Sequence, residues 1–460
     1  MRLLRWTLWL LLALALTWVL LALSGWLPRL SQPQLDDLAL LRQRDMAPAG
    51  QNAYPALLLQ GFAVPVEQQG ALLAEVIAAR RQEPRWSSDQ LHTLVTRTYL
   101  ALPVLTIDLP CAAESPDCLL EVRARRAEVA GLIVTHARRL ENWRAVQAHA
   151  DHLWDPVPDA LDSLSLVEWR HSRLPRIAAA LAWVQQPGPD ALSALCTHAA
   201  FWRRMRTGTN LLLADMVAVS ELGHSARLLA AMLSEWPEDQ SLPAACSGWI
   251  SGLTDAELQH CAVARREFAS LDRSLRTLTT AGATVDSDVS NSGWWWRITG
   301  GLFYQSEATL GLLASDFAAA CRDPLAPRSP EQLREQTAVE CGFVGQVFNP
   351  VGCVIAGIAS PDQRSFHLRR LDLDAQLRAL DISLRWRMHP EQRPQASGPV
   401  HGWAQQWHPL TLELETRQLR LGLQVPRGEP LWSLSLPWGP PTSPRTPTTS
   451  GTAAADPSGG

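Results

Sequence analysis

The sequence predicts a mainly α-helical protein with an N-terminal transmembrane helix, a large all-α domain and a small antiparallel β element near the C-terminus. Three observations lead to this fold class: an uncharged apolar run at the N-terminus, apolar residues at helical spacing through most of the chain, and alternating apolar residues after residue 409. The predicted divisions are an anchor at 1–28, a connector at 29–51, a helical domain at 52–395, a β-rich segment at 396–438 and a disordered tail at 439–460.

Residues 6–27 form the predicted transmembrane helix. They are rich in Leu, Ala and Trp and contain no charged side chain. A helix of this length is about 33 Å long and matches the ~30 Å hydrocarbon core of a bilayer. Arg2 and Arg5 precede the run, whereas Asp36 and Asp37 follow it. This arrangement predicts that the N-terminus stays in the cytoplasm and that the body of the chain is exported.

A cleaved signal peptide is the alternative interpretation of the same run. Residues 22–24, Ala-Leu-Ser, would serve as a small-residue cleavage site. However, the apolar core of a signal peptide usually has about 7–15 residues, and this run is longer. Trp6, Trp9 and Trp26 also suit the two interfaces of a membrane. We therefore expect an uncleaved anchor.

Helical spacing of apolar residues continues through the predicted body, with short connections that are typical of antiparallel helix packing. Between residues 117 and 153 the apolar side chains fall on one stripe and arginines fill the opposite face, which predicts one long helix. Thr254 and Glu257 form a predicted capping box. The predicted helices are 67–82, 88–100, 117–153, 164–185, 189–206, 210–236, 242–253, 255–279, 306–320, 331–340 and 368–387.

The apolar period changes near the C-terminus. Leucines alternate with polar residues in 410–414, in 419–423 and in 434–436, which predicts a small antiparallel sheet of two or three strands. From Gly439 onwards the chain is dominated by Pro, Thr, Ser and Gly, a composition that predicts a disordered tail.

The net charge and the absence of standard motifs argue against several classes of function. A net charge of −4 gives no reason to expect a nucleic-acid partner. The chain contains no glycine-rich phosphate-binding motif, no His-Glu-x-x-His, no Gly-x-Ser-x-Gly and no Cys-x-x-Cys pair. We therefore expect no cofactor, and we favour a protein that is not an enzyme.

The eight cysteines form an even set in a chain that we expect to lie outside the cytoplasm, where disulfides persist. Cys111 and Cys118 flank a short loop bounded by proline, which predicts a disulfide worth about 2.5 kcal/mol on the chain-entropy model. Cys321 and Cys341 flank a Pro-rich connection and form the second predicted pair. The sequence gives no pairing for the remaining four, for which buried free thiols are the alternative: Cys196, Cys246, Cys261 and Cys353.

Several short motifs lie between residues 50 and 390: Asn52-Ala-Tyr54, Gly61-Phe62, the Cys111/Cys118 pair, Phe201-Trp202-Arg203, the stretches 303–310 and 348–352, and Leu371-Asp372. Together they resemble a group of mainly helical envelope proteins of Gram-negative bacteria with one N-terminal inner-membrane helix and no known activity. The resemblance implies a single-pass inner-membrane protein with a cytoplasmic N-terminus and a periplasmic body. It implies no cofactor and no catalytic residue.

His149 and His152 are the residues that come nearest to a metal site. If the predicted helix continues to residue 153, the two imidazoles lie three residues apart on one helical face, with Asp151 beside them. Zinc normally needs a third or fourth protein ligand, and the sequence offers none nearby. We therefore prefer a solvated helix face and predict no metal.

Glu307 is the candidate for an enzymatic alternative. Aromatic residues precede it, as in enzymes that cleave peptidoglycan with one glutamic acid of raised pKa. Under this alternative the protein is a periplasmic glycan or peptidoglycan hydrolase with Glu307 as the acid. The rest of that family's pattern is missing, so we prefer a structural role in which Glu307 favours the N-terminal end of a helix.

The predicted binding residues are Trp294, Trp295, Trp296 and Tyr304. Twenty tryptophans against three tyrosines is an unusual ratio, and this cluster follows a polar loop at 280–293. Three consecutive rings cannot all face one core from a helix, so at least one is expected at the surface. Ordinary packing of these rings is the alternative interpretation, which the sequence leaves open. We favour a non-enzymatic binding or scaffold protein whose partner is an envelope protein or a cell-wall component.

Overall fold

The computed structural model describes residues 2–23, 29–82, 88–104, 109–111, 117–156, 169–281, 303–322, 341–359, 363–403, 408–427 and 429–438. Within these ranges the chain is mainly α-helical and ends in a small antiparallel sheet, as predicted. No helix in these ranges is both long enough and apolar enough to cross a membrane, so the transmembrane part of the predicted fold class is not found. The outer end of the predicted anchor, residues 24–27, lies outside the described ranges.

The α-helices are numbered in chain order. They are α1 (Arg2–Leu23), α2 (Gln32–Leu41), α3 (Tyr54–Leu58), α4 (Val66–Gln82), α5 (Ser88–Thr96), α6 (Cys118–Ala124), α7 (Arg126–Thr135), α8 (Ala137–His149), α9 (Leu174–Gln185), α10 (Pro189–Thr207), α11 (Leu212–Glu235), α12 (Asp255–Leu258), α13 (Cys261–Ala281), α14 (Ser306–Ala318), α15 (Phe343–Phe348), α16 (Pro350–Ala359) and α17 (Gln363–Met388). Short 3-10 helices lie at Trp169–Arg173, Ala244–Cys246 and Pro390–Gln392.

The single helix predicted at 117–153 is instead the series α6, α7 and α8. The backbone leaves the helical region at Arg125 (φ −110°, ψ 26°) and at His136 (φ −105°, ψ 20°). Each break takes one residue, so the apolar period continues across it and the sequence does not reveal it. The bends bring buried side chains of successive helices onto one core, and Trp143 in α8 packs edge-on against Phe201 with ring centroids 6.0 Å apart.

Two further helix predictions need correction. Residues 242–253 contain the 3-10 turn Ala244–Cys246 rather than a helix, because Cys246 is bonded to Cys196 and Trp249 is buried behind the turn. The predicted helix at 255–279 is divided into α12 and α13, since Gln259 is extended. Thr254 and Glu257 do form the capping box at the start of α12. The predicted helix at 331–340 lies outside the described residues.

The larger core lies around α10 and α11, which pack along each other with α9 and α17 against them. Trp183, Trp202 and Phe201 are fully buried there. Large aromatic side chains remove roughly 150–250 Å² each from water, so these rings contribute much of the apolar burial that stabilises the body.

The C-terminal sheet has four strands rather than the two or three predicted, because the two-residue strand β1 is too short to show an alternating pattern. The order is β1-β2-β3-β4, all antiparallel: β1 (Gly398–Pro399), β2 (Leu410–Glu413), β3 (Gln418–Arg427) and β4 (Glu429–Ser435). Its alternating leucines face one side, where Leu412 lies opposite Leu419 and both join the larger core. Asp372 on α17 accepts hydrogen bonds from the amides of Gln424 (2.7 Å) and Val425 (3.0 Å) in β3. The sheet is therefore packed on the helical domain and shares its core.

A second, smaller core is built from α2, α13, α14 and α16. It contains Leu38 and Leu41 from α2, and Phe268 packs edge-on against Phe317 with ring centroids 5.6 Å apart. The predicted connector at 29–51 therefore contains a helix that is part of the folded body.

All eight cysteines form disulfides, so the alternative of buried free thiols is wrong. The bonds join Cys111 to Cys118, Cys196 to Cys246, Cys261 to Cys321 and Cys341 to Cys353. The first is the bond that the short loop predicts.

The predicted bond between Cys321 and Cys341 is absent, and this prediction is wrong. Cys261 begins α13 and Cys321 follows the end of α14. Antiparallel packing of these two helices brings their distant ends together, with the two Cα atoms 4.4 Å apart. Cys341 is free to bond Cys353, the partner nearer to it in sequence.

Candidate functional site

The surface of α1 is apolar and mostly exposed to solvent. Trp6 is 77% exposed, Leu8 68% and Leu16 60%. Towards the C-terminal end of α1, Trp18 is partly buried because its ring lies 5.3 Å from the ring of Phe303 and 6.3 Å from that of Phe348. α1 therefore contacts the body near its C-terminal end, whereas its side chains at 5–14 are exposed.

The segment that follows α1 is tightly attached to the body. Leu38 and Leu41 of α2 are 2% exposed. A Cβ atom at Gly311 of α14 would collide with Leu30, so the glycine lets the chain ahead of α2 approach α14 closely. We call these contacts of α1 and α2 with α13, α14, Phe303 and Phe348 the N-terminal junction.

Arginines add polar contacts to the N-terminal junction. Arg265 on α13 donates to the carbonyl of Leu40 at 3.0 Å and to Oε1 of Gln43 at 2.7 Å. Arg322, just beyond α14, forms an ion pair with Asp37 of α2, which is buried. Charge-assisted hydrogen bonds of this kind fix the orientation of α2 on the body.

Glu307 lies in the first turn of α14 and belongs to the same junction. Its carboxylate accepts from Nη2 of Arg42 (2.9 Å) and from Arg276, and both arginines also contact Asp272. Partial burial acts to raise the pKa of Glu307, but the hydrogen bonds and charges of Arg42 and Arg276 outweigh it and lower the pKa. A general acid needs a raised pKa, so this geometry suits a structural ion pair rather than the hydrolase alternative.

The two histidines considered as metal ligands do not share a helix face, contrary to the sequence expectation. α8 ends at His149, which is exposed, whereas His152 lies beyond the helix and is 3% exposed. Its neighbour Asp151 accepts from the amide of Gln51 at 2.8 Å and so helps to hold the chain before α3. Among the described residues, no group of three or more His, Cys, Asp or Glu side chains is arranged to hold a metal ion.

The predicted binding residues divide into two groups. Trp294, Trp295 and Trp296 lie outside the described residues, and their role remains a prediction. Tyr304, which we predicted as a binding residue, is 5% exposed in the second core and donates its hydroxyl to the carbonyl of Leu275 at 3.0 Å. Burial raises the pKa of Tyr304 to about 12, so the phenol remains a hydrogen-bond donor at neutral pH.

Sequence reasoning missed several buried ion clusters in the larger core. Glu221 on α11 accepts from Nε of Arg176 on α9 at 3.0 Å and lies 3.2 Å from Nε2 of His198 on α10. Gln147 of α8 contacts the other ring nitrogen of His198 at 2.8 Å. Burial acts to raise the pKa of Glu221, but Arg176 and His198 outweigh it and lower the pKa strongly.

A second cluster joins α10, α11 and α17. Asp215 accepts from Nε of Arg206 at 3.1 Å and from Nε of Arg370 at 2.8 Å, and all three side chains are almost fully buried. The partners of both clusters lie on different helices, and even Arg206 and Asp215, nine positions apart, are separated by the break between α10 and α11, so no local pattern predicts them. They connect core helices and are closed to solvent, which is the arrangement of structural rather than substrate-binding groups.

No protein-family model, no curated protein and no solved structure matches this chain. Its function is therefore inferred from the N-terminal junction, the disulfides and the exposed surfaces.

Proposed function

We propose that this chain is a single-pass inner-membrane protein of a Gram-negative bacterium, with a periplasmic body that binds an envelope protein or a cell-wall component without catalysing a reaction. The observation that carries the proposal is the exposed apolar surface of α1, on which Trp6, Trp9 and Leu14 are all more than half exposed. Arg2 and Arg5 at its start favour a cytoplasmic N-terminus. The pairing of all eight cysteines supports an oxidising compartment for the body.

The N-terminal junction supports a scaffold role. A flexible linker would let the body move freely away from the membrane, but α2 is packed and ion-paired on α13 and α14. An anchor attached in this way holds the body at one height and in one orientation at the membrane surface. Such presentation is useful to a protein that receives or positions a partner there.

The first experiment tests topology. The full chain is expressed in a Gram-negative host, and protease is added to intact cells, to spheroplasts and to lysed spheroplasts. We expect the body to be digested in spheroplasts and to remain with the membrane fraction before digestion. Protection until lysis would contradict a periplasmic body, and release of an intact body in soluble form would contradict the anchor.

The second experiment tests the role of the body. Photo-crosslinking residues are placed at exposed positions of the body in cells, and captured material is identified as protein or peptidoglycan by mass spectrometry. In parallel, the purified chain is incubated with peptidoglycan sacculi. We expect crosslinking to a defined partner and no release of soluble fragments. Fragment release that is lost in Glu307→Gln would instead establish the hydrolase alternative.

A further inference from the structure

Residues 342–359 contain no charged side chain. They form α15, α16 and the single-residue link between them. A charged group inside a bilayer is costly, so a segment that contacts lipid must be uncharged over its exposed length. This segment meets that requirement although it is too short to span a membrane.

The outer surface of this segment is apolar and open. Phe343 is 80% exposed, Val354 62% and Ile358 81%. Val354 and Ile358 are four residues apart and share one face of α16, whereas Gly352 and Ala356 are buried on the face towards the body. α16 therefore presents aliphatic side chains outwards, where a water-exposed helix would normally carry polar ones.

The polar groups of the segment are paired inside the protein. Nε2 of Gln346 donates to the carbonyl of Cys341 at 3.0 Å. Asn349 is fully buried, and its Nδ2 donates to Oγ1 of Thr309 at 3.1 Å. The side chain of Gln346 is exposed, but its amide has an acceptor within the protein, as does the buried amide of Asn349. Lipid offers no water to an unpaired donor, so these two hydrogen bonds are compatible with a lipid contact.

Buried contacts and a disulfide hold the segment rigidly. A Cβ atom at Gly352 would collide with Thr309 and Asn349, so α16 lies directly on α14. The Cys341–Cys353 bond joins the start of the segment to α16. The exposed apolar side chains therefore keep a fixed position relative to the N-terminal junction.

The segment contacts α1 through Phe348. Phe348 ends α15 and its ring lies 6.3 Å from that of Trp18. At 1.5 Å per residue, Trp18 lies about 7.5 Å along the axis from Leu23, the last described residue of α1. On the same scale Ile358 lies about 12 Å along α16 from Pro350.

We propose that α15 and α16 are a second membrane contact, with Phe343, Val354 and Ile358 inserted into the outer leaflet of the bilayer beside α1. This inference rests on the proposed anchoring of α1, because the contact between Trp18 and Phe348 places the segment beside α1. The occupant is lipid rather than a second protein, since the segment contacts the helix that enters the membrane. The body is thus attached at two points and cannot rotate freely about α1.

The test uses the full chain with one added cysteine, since the eight native cysteines are all in disulfides. Ile358→Cys, Leu14→Cys and Val134→Cys are each labelled with an environment-sensitive fluorophore. Each protein is reconstituted into vesicles of phosphatidylethanolamine and phosphatidylglycerol. Quenchers on the lipid acyl chain report insertion, and iodide reports exposure to water. Val134 is the matched control, because it is aliphatic and 76% exposed on α7.

We expect lipid quenching at Ile358 and Leu14 to exceed that at Val134 several-fold, with the opposite order for iodide. Lipid quenching at Leu14 together with iodide quenching at Ile358 would overturn the second contact and leave the anchor intact. Iodide quenching at Leu14 with lipid quenching at Ile358 would overturn the anchor, and with it the placement of this segment beside an inserted α1. If neither quencher reaches Ile358, the surface is covered by protein and the inference is wrong.

Discussion

Glu307 and Arg42 are joined by an ion pair in which Nη2 of the arginine lies 2.9 Å from Oε2 and 3.2 Å from Oε1 of the carboxylate. The two residues are 265 positions apart in sequence. Arg42 follows α2 and Glu307 lies in the first turn of α14, so the pair connects the segment after α1 to the body. The acidic residue that aromatic neighbours marked as a possible catalytic acid is therefore part of the attachment of the N-terminal segment.

The first prediction concerns this pair. We expect Glu307→Gln to lower the free energy of unfolding by about 0.5–1 kcal/mol, because both side chains are partly exposed and solvent screens their attraction. Glu141→Gln is the control, since its pair with Arg138 has both side chains 59% exposed, and it should change nothing measurable. Urea unfolding in detergent measures both. A loss of several kcal/mol in Glu307→Gln would contradict the prediction, because a partly exposed ion pair cannot account for a loss of that size.

The second prediction concerns the buried Glu221. We expect Glu221→Gln to cost about 3–5 kcal/mol, since it leaves the guanidinium of Arg176 buried without a counter-charge. Replacing both partners, in Glu221→Gln with Arg176→Met, should recover part of the loss because no charge then remains buried. Thermal and urea unfolding measure the series. Equal stability of Glu221→Gln and the unchanged chain would contradict the structural role of the cluster.

The third prediction concerns pH. Burial lowers the pKa of His198, and burial together with Arg370 lowers that of His260 well below its usual value. In the unfolded chain both histidines titrate near pH 6.5, so the unfolded state binds more protons below that pH. Stability should therefore fall as pH decreases below about 6.5, by up to about 1.4 kcal/mol per pH unit for each histidine.

Urea unfolding at pH 7.5 and pH 5.5 measures this dependence. His198→Gln should reduce the difference between the two pH values, whereas His389→Gln should not, because His389 is exposed beyond the end of α17. Glu221 and Asp215 do not affect the comparison of these two pH values. Folding lowers the pKa of both carboxyl groups, so the stability that they contribute is lost only as pH falls into and below the ordinary carboxyl range. Identical stability at both pH values would contradict the prediction.

The fourth prediction concerns the disulfides. Peptide mapping without reduction should find Cys261 linked to Cys321 and Cys341 linked to Cys353. Removing the first bond by Cys261→Ala with Cys321→Ala should cost about 4 kcal/mol, and removing the second about 3 kcal/mol, because the first closes the longer loop. A peptide that links Cys321 to Cys341 would contradict the packing of α13 on α14.

The fifth prediction concerns the tryptophan cluster at 294–296. If it is the recognition surface, alanine at an exposed ring should weaken binding of the crosslinked partner by about 2 kcal/mol with little effect on stability. If the rings are core, each substitution should cost about 3–5 kcal/mol of folding stability. Thermal unfolding of Trp294→Ala, Trp295→Ala and Trp296→Ala is measured beside partner capture. Strong destabilisation of all three would exclude the recognition role.

Local features were predictable from the amino-acid sequence alone. The alternation of leucines predicted the sheet, helical periodicity predicted α4, α9, α10, α11 and α14, and Thr254 with Glu257 predicted a cap. The Cys111–Cys118 bond was predictable for the same reason, since its partners are seven positions apart and only a short loop need close. In each case the residues that interact are near neighbours in sequence, so a short stretch of the chain contains the pattern that determines the local structure.

Tertiary structure alone decided which distant residues meet. Packing of α13 on α14 paired Cys261 with Cys321 and brought Arg276 to Glu307, and docking of α2 added Arg42. The same holds for Arg176 and Glu221, which lie on different helices 45 positions apart. Charged and sulfur-bearing side chains have many possible partners along a chain of this length. The pair that forms is set by which helix faces are apolar enough to be buried against each other.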